Sequence, residues 1–120
     1  MNGLSFVADT NFLIQVHEGK ESVEPFLDST AIVSVISEIE LLGWHKLPES
    51  ENQLLKELLS DCVIFELTGE IRKLAIELRQ QNRIKTPDAI IAATALYLQL
   101  PLVTSDKGFK NIPDLNLILI

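Results

Sequence analysis

Four carboxylates of this 120-residue chain stand where acidic side chains are unexpected. Asp9 ends the apolar run Leu4 to Ala8, and Asp106 follows Leu102-Val103-Thr104-Ser105. Glu40 lies inside Val35-Ile36-Ser37-Glu38-Ile39-Glu40-Leu41-Leu42, and Asp88 opens an apolar stretch after Thr86-Pro87. Carboxylates that converge repel one another unless a cation sits between them. Oxygen-only donors select a hard cation such as Mg2+ or Mn2+, whereas zinc calls for His and Cys at ligand spacing. His17, His45 and the single Cys62 are not so spaced. A carboxylate-held Mg2+ or Mn2+ with open water positions activates water and stabilises a departing oxyanion, which is the chemistry of phosphodiester hydrolysis. Thr10, Asn11, Thr104 and Ser105 are spaced to hold waters of the cation or to orient the carboxylates.

The positions of these residues follow from the elements around them. Leu4 to Ala8 is long enough for a buried strand and too short for a helix. Asp9-Thr10-Asn11 then offers capping residues to a helix that Gly19 stops, and Glu21 to Leu27 adds a further turn or two. Ala31 to Ser34 reads as a second strand, leading into a helix from Val35 that ends before Pro48. Leucines 54, 55, 58 and 59 mark an amphipathic helix over 49 to 60, and Cys62 to Leu67 reads as a third strand. Thr68 opens a helix reaching about Asn82. Thr86 as N-cap with Pro87 at the first helical position opens another, running to about Leu100. Leu102 to Thr104 and Leu117 to Ile120 complete about five strands.

Strands alternating with helices, without Asn-Gly hairpin signals, predict an α/β fold: three layers, with a mostly parallel central sheet covered by helices on both faces. No linker or repeat divides residues 1–120, so a single domain is expected. Open parallel sheets bind ligands beyond the carboxyl ends of their strands, at a switch in strand order. Asp9 and Asp106 lie at those ends, while Asp28 and Asp61 precede strands at the opposite edge. On a helical wheel anchored on Ile36, Glu40 falls about 40° away, at the margin of the apolar surface, and Glu38 falls nearly opposite, in solvent. Asp88 shares a face with Ile91, Ala92 and Ala95. Each acid also has a plainer reading when taken singly: Asp9 as a helix cap, Asp88 as a first-turn complement to the helix dipole, Asp106 as the opener of a turn. The four together favour a shared cation.

A chain that is 47% hydrophobic and 22% charged is neither disordered nor low-complexity. A lone cysteine excludes an internal disulfide framework. Cys62, in an apolar run, reads as buried core, which fits a reducing, cytoplasmic setting. No run approaches the roughly 18 to 20 apolar residues of a membrane span, and no basic segment precedes the N-terminal apolar stretch, so a soluble, unprocessed chain is expected. The net charge of -7 is unevenly spread. Residues 1–70 carry 3 basic and 13 acidic groups, and residues 71–120 carry 7 basic and 4 acidic. An anionic partner therefore remains compatible with the C-terminal part.

The segments Val7-Ala8-Asp9-Thr10-Asn11, Ser34 to Gly43, Thr86 to Ala95 and Leu102-Val103-Thr104-Ser105-Asp106 resemble, in order and spacing, the successive motifs of PIN-domain ribonucleases. With so little appended, the chain is most similar to the VapC toxins of type II toxin-antitoxin pairs. The resemblance implies a Mg2+- or Mn2+-dependent endoribonuclease in which Asp9, Glu40, Asp88 and Asp106 form the acidic quartet and Thr104 is an accessory polar residue. It further implies in-line attack leaving a 5′-phosphate and a 3′-hydroxyl, a homodimer, and a cognate antitoxin whose tail enters the acidic groove. Arg83, Lys85, Lys107 and Lys110 flank the two C-terminal motifs and are candidates for RNA phosphate contacts, with solvated loop charge as the plain alternative. Trp44, Tyr97, Phe12 and Phe26 are either packing residues or a surface for bases, a second copy or an antitoxin.

Rival classes fit less well. A phosphoryl-receiving domain needs neighbouring acids after the first strand and an Asp after a middle one, where Glu66 stands. A phosphatase with an aspartate nucleophile needs an acid where Asn11 stands. A non-catalytic PIN-like module binding RNA or protein is the remaining alternative. Metal-assisted attack on phosphorus does not itself distinguish RNA from DNA.

Overall fold

Phe6, Val7 and Ala8 send their side chains alternately to opposite faces, and in the computed structural model all three are buried, so the strand that carries them has helices on both sides. The structure describes residues 4–120. The first strand, β1 (Ser5–Ala8), is followed by α1 (Thr10–Glu18), a 3-10 segment (Glu21–Phe26), β2 (Thr30–Ser34), α2 (Val35–Leu42) and α3 (Glu49–Ser60). Then come β3 (Val63–Phe65), α4 (Gly69–Gln81), α5 (Thr86–Leu98), β4 (Leu102–Thr104), a short 3-10 turn (Lys107–Phe109) and β5 (Leu117–Leu119). The sheet runs in the order β3-β2-β1-β4-β5, and every pairing is parallel. The expected three-layer α/β fold is what the chain adopts.

The two layers of core follow the strand alternation. Val7, Leu102 and Ile32 face α4 and α5, where Ile71, Ala75, Leu78 and residues 89–93 of α5 pack. Phe6, Ala8, Val33 and Val103 face Phe12 and Leu13 of α1, Leu41 of α2 and Leu59 of α3. Helix α5 is buried all round from Ala89 to Ala95, as a helix wedged between a sheet and another helix must be. Phe12 and Phe26 resolve as packing residues: with Phe6 they form an aromatic cluster with ring centroids 5.2 to 6.0 Å apart. Ile71 is fully buried against α5, so Ile71→Val should cost about 1 kcal/mol of stability, readable by urea denaturation, through the cavity one methyl leaves.

Several expected boundaries move. The helix after β2 ends at Leu42 instead of running toward Pro48, because the chain turns at Gly43, whose amide donates to the Ile39 carbonyl at 2.8 Å. A Cβ there would lie 2.4 Å from that oxygen, so this close turn requires glycine. Lys85, not Thr86, occupies the N-cap of α5, and Thr86 is already helical. The third strand shrinks to three residues, and Cys62 is half-buried beneath α3, its thiol pushed up to about 11 by burial and by Asp61. Among the described residues no helix is long and apolar enough to cross a membrane.

Candidate active site

Chain order reverses beside β1: β2 and β3 lie on one flank, β4 and β5 on the other. A crevice therefore opens where the carboxyl ends of β1 and β4 meet. Asp9 leaves β1 directly into it. The residue is buried, with Oδ1 accepting from the Phe12 amide at 2.8 Å as the N-cap of α1 and Oδ2 accepting from the Thr104 hydroxyl. Thr104, itself fully buried at the end of β4, accepts from the Asp106 amide at 2.9 Å. The capping role and the site role of Asp9 are thus compatible, since each carboxylate oxygen has its own task.

Asp9, Thr10, Asn11, Glu40, Asp88 and Ile91 line one cleft of about 210 Å³. Three elements supply the three acids: the end of β1, α2 and the first turn of α5. Glu40 is exposed toward the cleft, and its Oε1 accepts from the Thr10 hydroxyl at 2.8 Å. The helical wheel needs correction here, because Glu38 is half-buried and Glu40 exposed, the reverse of the expected order. The buried stripe of α2 is Ser37 and Leu41, so its inward face begins one residue beyond Ile36. Glu38 is absent from the cleft lining.

Asp106 stands beside this cleft rather than in its lining. Its Oδ1 accepts from the Gly108 amide at 2.8 Å, opening the turn that the plainer reading assigned to it. Ser105 is also drawn away, accepting from Gln15 at 2.8 Å. Charge nevertheless links all four acids. Burial raises the pKa of Asp9 above the ordinary carboxylate range, the Thr104 hydroxyl and Phe12 amide pull it back, and Asp106 and Asp88 push it further up. Burial likewise raises Asp88, aided by Asp106 and Glu40 and opposed by Lys85.

The donor set suits a hard cation. Cleft donors are all oxygen, and no basic side chain lines it to neutralise the acids. Among the described residues, no three Asp, Glu, His or Cys side chains are drawn together into a ready-made metal cage. His17 is engaged elsewhere, 2.8 Å from Glu51, and His45 is exposed in a loop. Arg83, Lys85, Lys107 and Lys110 are all exposed, and Lys85 is the one whose charge reaches Asp88. Ser37, fully buried and 2.9 Å from Thr10, went unnoticed in the sequence, since a serine contributes nothing to an apolar pattern.

Beside the acidic cleft lies an apolar groove of about 500 Å³ walled by Ile14, Leu41, Trp44 and Leu55, and the two share Thr10 and Glu40.

A family model for the PIN domain matches residues 6–115. No curated protein sequence matches the chain. Among solved structures it is similar to a toxin-antitoxin complex from Klebsiella pneumoniae, at 30% identity over 94% of this chain and 95% of that one, with a TM-score of 0.80. It is also similar to VapBC2 from Rickettsia felis bound to a DNA fragment from their promoter, at 25% identity over 98% and 99%, with a TM-score of 0.82. A third likeness, to VapBC-1 from nontypeable Haemophilus influenzae, has 21% identity over 97% and 98% and a TM-score of 0.79, and concerns the fold alone.

Proposed function

The chain belongs to the PIN domain family, and on that premise we propose that it is a Mg2+- or Mn2+-dependent endoribonuclease, the toxin of a toxin-antitoxin pair working in the cytoplasm. The observation that carries this reading is the convergence of Asp9, Glu40 and Asp88, from three separate elements, on one cleft at the switch in strand order. Asp9, Glu40 and Asp88 hold the cation directly or through water, and Asp106 completes the site from the β4 side. When bound, the cation supplies activation of water and stabilisation of the departing oxygen. Thr104 and the Phe12 amide fix the Asp9 carboxylate, so it does not have to be reoriented when substrate arrives. Lys85, whose charge reaches Asp88, is the first candidate to receive an RNA phosphate, with the exposed Arg83, Lys107 and Lys110 as further candidates. In-line displacement leaves a 5′-phosphate and a 3′-hydroxyl.

An antitoxin partner is supported by the likeness to the Klebsiella pneumoniae toxin-antitoxin complex. The apolar groove gives such a partner a surface continuous with the acids, and a second copy of the chain completes the assembly in this reading.

Cleavage of end-labelled, pooled cellular RNA by the purified protein in Mg2+ or Mn2+, against EDTA, tests the activity. Cutting that EDTA abolishes supports it. No cutting in either metal by folded, partner-free protein would turn the reading to a non-catalytic RNA- or protein-binding module. The same assay separates the two glutamates of α2. Glu40→Gln should lower the rate about 10- to 100-fold, the usual cost of disturbing a metal site's ligand shell. Glu38→Gln should stay within about twofold, as substitutions away from a site do.

A further inference from the structure

The hydroxyl of Thr10 lies 2.8 Å from Glu40 Oε1 and 2.9 Å from Ser37 Oγ. A hydroxyl carries one proton, and a carboxylate only accepts. Thr10 therefore donates to Glu40, and the contact with Ser37 is satisfied by Ser37 donating to Thr10. The resulting chain has one direction: Ser37 to Thr10 to Glu40. Its origin is a side chain with no exposure, on the buried stripe of α2, while its end is a glutamate exposed to solvent. An exposed glutamate samples many rotamers, and ordering it costs free energy. A donor locked in the protein interior removes much of that freedom in advance.

We propose that Ser37 is a positioning residue, whose buried hydroxyl holds the Thr10 proton on Glu40 and thereby keeps that carboxylate turned into the cleft with Asp9 and Asp88. The placement joins α1 to α2 at the point where the cleft needs two elements in register, one helical turn from Glu40 along α2. It rests on the reading of Glu40 as a cation-holding residue given above.

The test is Mn2+ binding to the purified chain, followed by electron paramagnetic resonance of the free ion, which reports on the site without turnover. Ser37→Ala and Thr10→Val should each weaken Mn2+ binding about 10-fold, the lower end of what outer-shell partners of a metal site contribute. The double variant should be no weaker than Thr10→Val, because Ser37 acts through Thr10. Thr10→Ser, which keeps the donor, should restore binding to within about twofold of the wild type, a rescue that loss of packing would not give. Additive effects in the double variant, or Ser37→Ala with unchanged affinity while Glu40→Gln weakens binding, would overturn the positioning role and leave the metal site standing. Unchanged affinity in Glu40→Gln as well would instead overturn the assignment of Glu40, and the inference with it. Circular dichroism on each variant confines the comparison to folded protein.

Discussion

Asp9→Asn should lower RNA cleavage in Mn2+ by about three orders of magnitude, equivalent to about 4 kcal/mol of activation free energy. The size of the effect follows from position. Asp9 is the most enclosed of the four acids, coupled to Asp106 and Asp88 through charge, with both oxygens fixed by hydrogen bonds. Removing its charge takes away the best-oriented anion while the other three stay in place. Asparagine keeps a carbonyl oxygen to accept from the Phe12 amide, so α1 retains its cap, and its amide group donates to the Thr104 oxygen, although the Thr104 proton loses the acceptor it has in Asp9. Asp9→Ala is a poorer probe, since losing the cap costs about 1 kcal/mol and leaves the buried Thr104 hydroxyl with no polar group at position 9. Single-turnover rates on one mapped RNA fragment, with circular dichroism of the variant, check the expectation. A rate within tenfold of wild type from folded Asp9→Asn would remove the cleft from the chemistry.

How much of this was legible in the sequence differs from residue to residue. Asp9 could be placed because it ends an apolar run, and the carboxyl edge of a parallel sheet is fixed by chain direction alone. Helix α3 could be bounded at Glu49 and Ser60 because its leucines repeat along one face. The start of α5 was displaced by one residue because proline fits either of the first two helical positions, where amides lack intrahelical partners anyway. The orientation of α2 is hidden from the sequence for a related reason. Its inward stripe runs through Ser37, and hydropathy counts a serine as outward even when its hydroxyl is satisfied inside. The turn at Gly43 holds α2 to eight residues, too few for a helical wheel to be averaged over several turns. Asp106 illustrates the opposite case: the turn it opens is local, and its amide bond to Thr104 together with the charge it shares with Asp9 and Asp88 ties it to the cleft. The family resemblance supplied the order of the motifs. It did not supply the hydrogen bonds that hold them.

Saturating Mn2+ should raise the melting temperature by about 10 °C at pH 7.5, because a ligand at about 100 times its Kd adds about 2.7 kcal/mol and each kcal/mol moves a domain of this size by a few degrees. The gain should shrink as the pH falls toward 4. Asp9 and Asp88 have pKa values raised by burial and by their acidic neighbours, from an unfolded value of 3.8. Between that value and the raised ones the native state binds more protons than the unfolded chain, so these groups make stability fall as pH rises. Their contribution is fully present below 3.8 and is lost as pH rises through the raised folded values. A cation reverses the penalty where the acids are ionised and must displace protons where they are not, so its stabilisation grows with pH over the same window. Asp88→Asn removes one of the repelling charges. The metal-free variant should therefore melt higher than wild type at pH 7.5, lose part of the wild-type pH dependence, and gain less from Mn2+. Calorimetric scans of both proteins at pH 4.5 and 7.5, with and without Mn2+, separate these terms. An equal Mn2+ shift at the two pH values, or a metal-free Asp88→Asn that melts below wild type at pH 7.5, would mean that the acids of the cleft are not a strained, cation-seeking set.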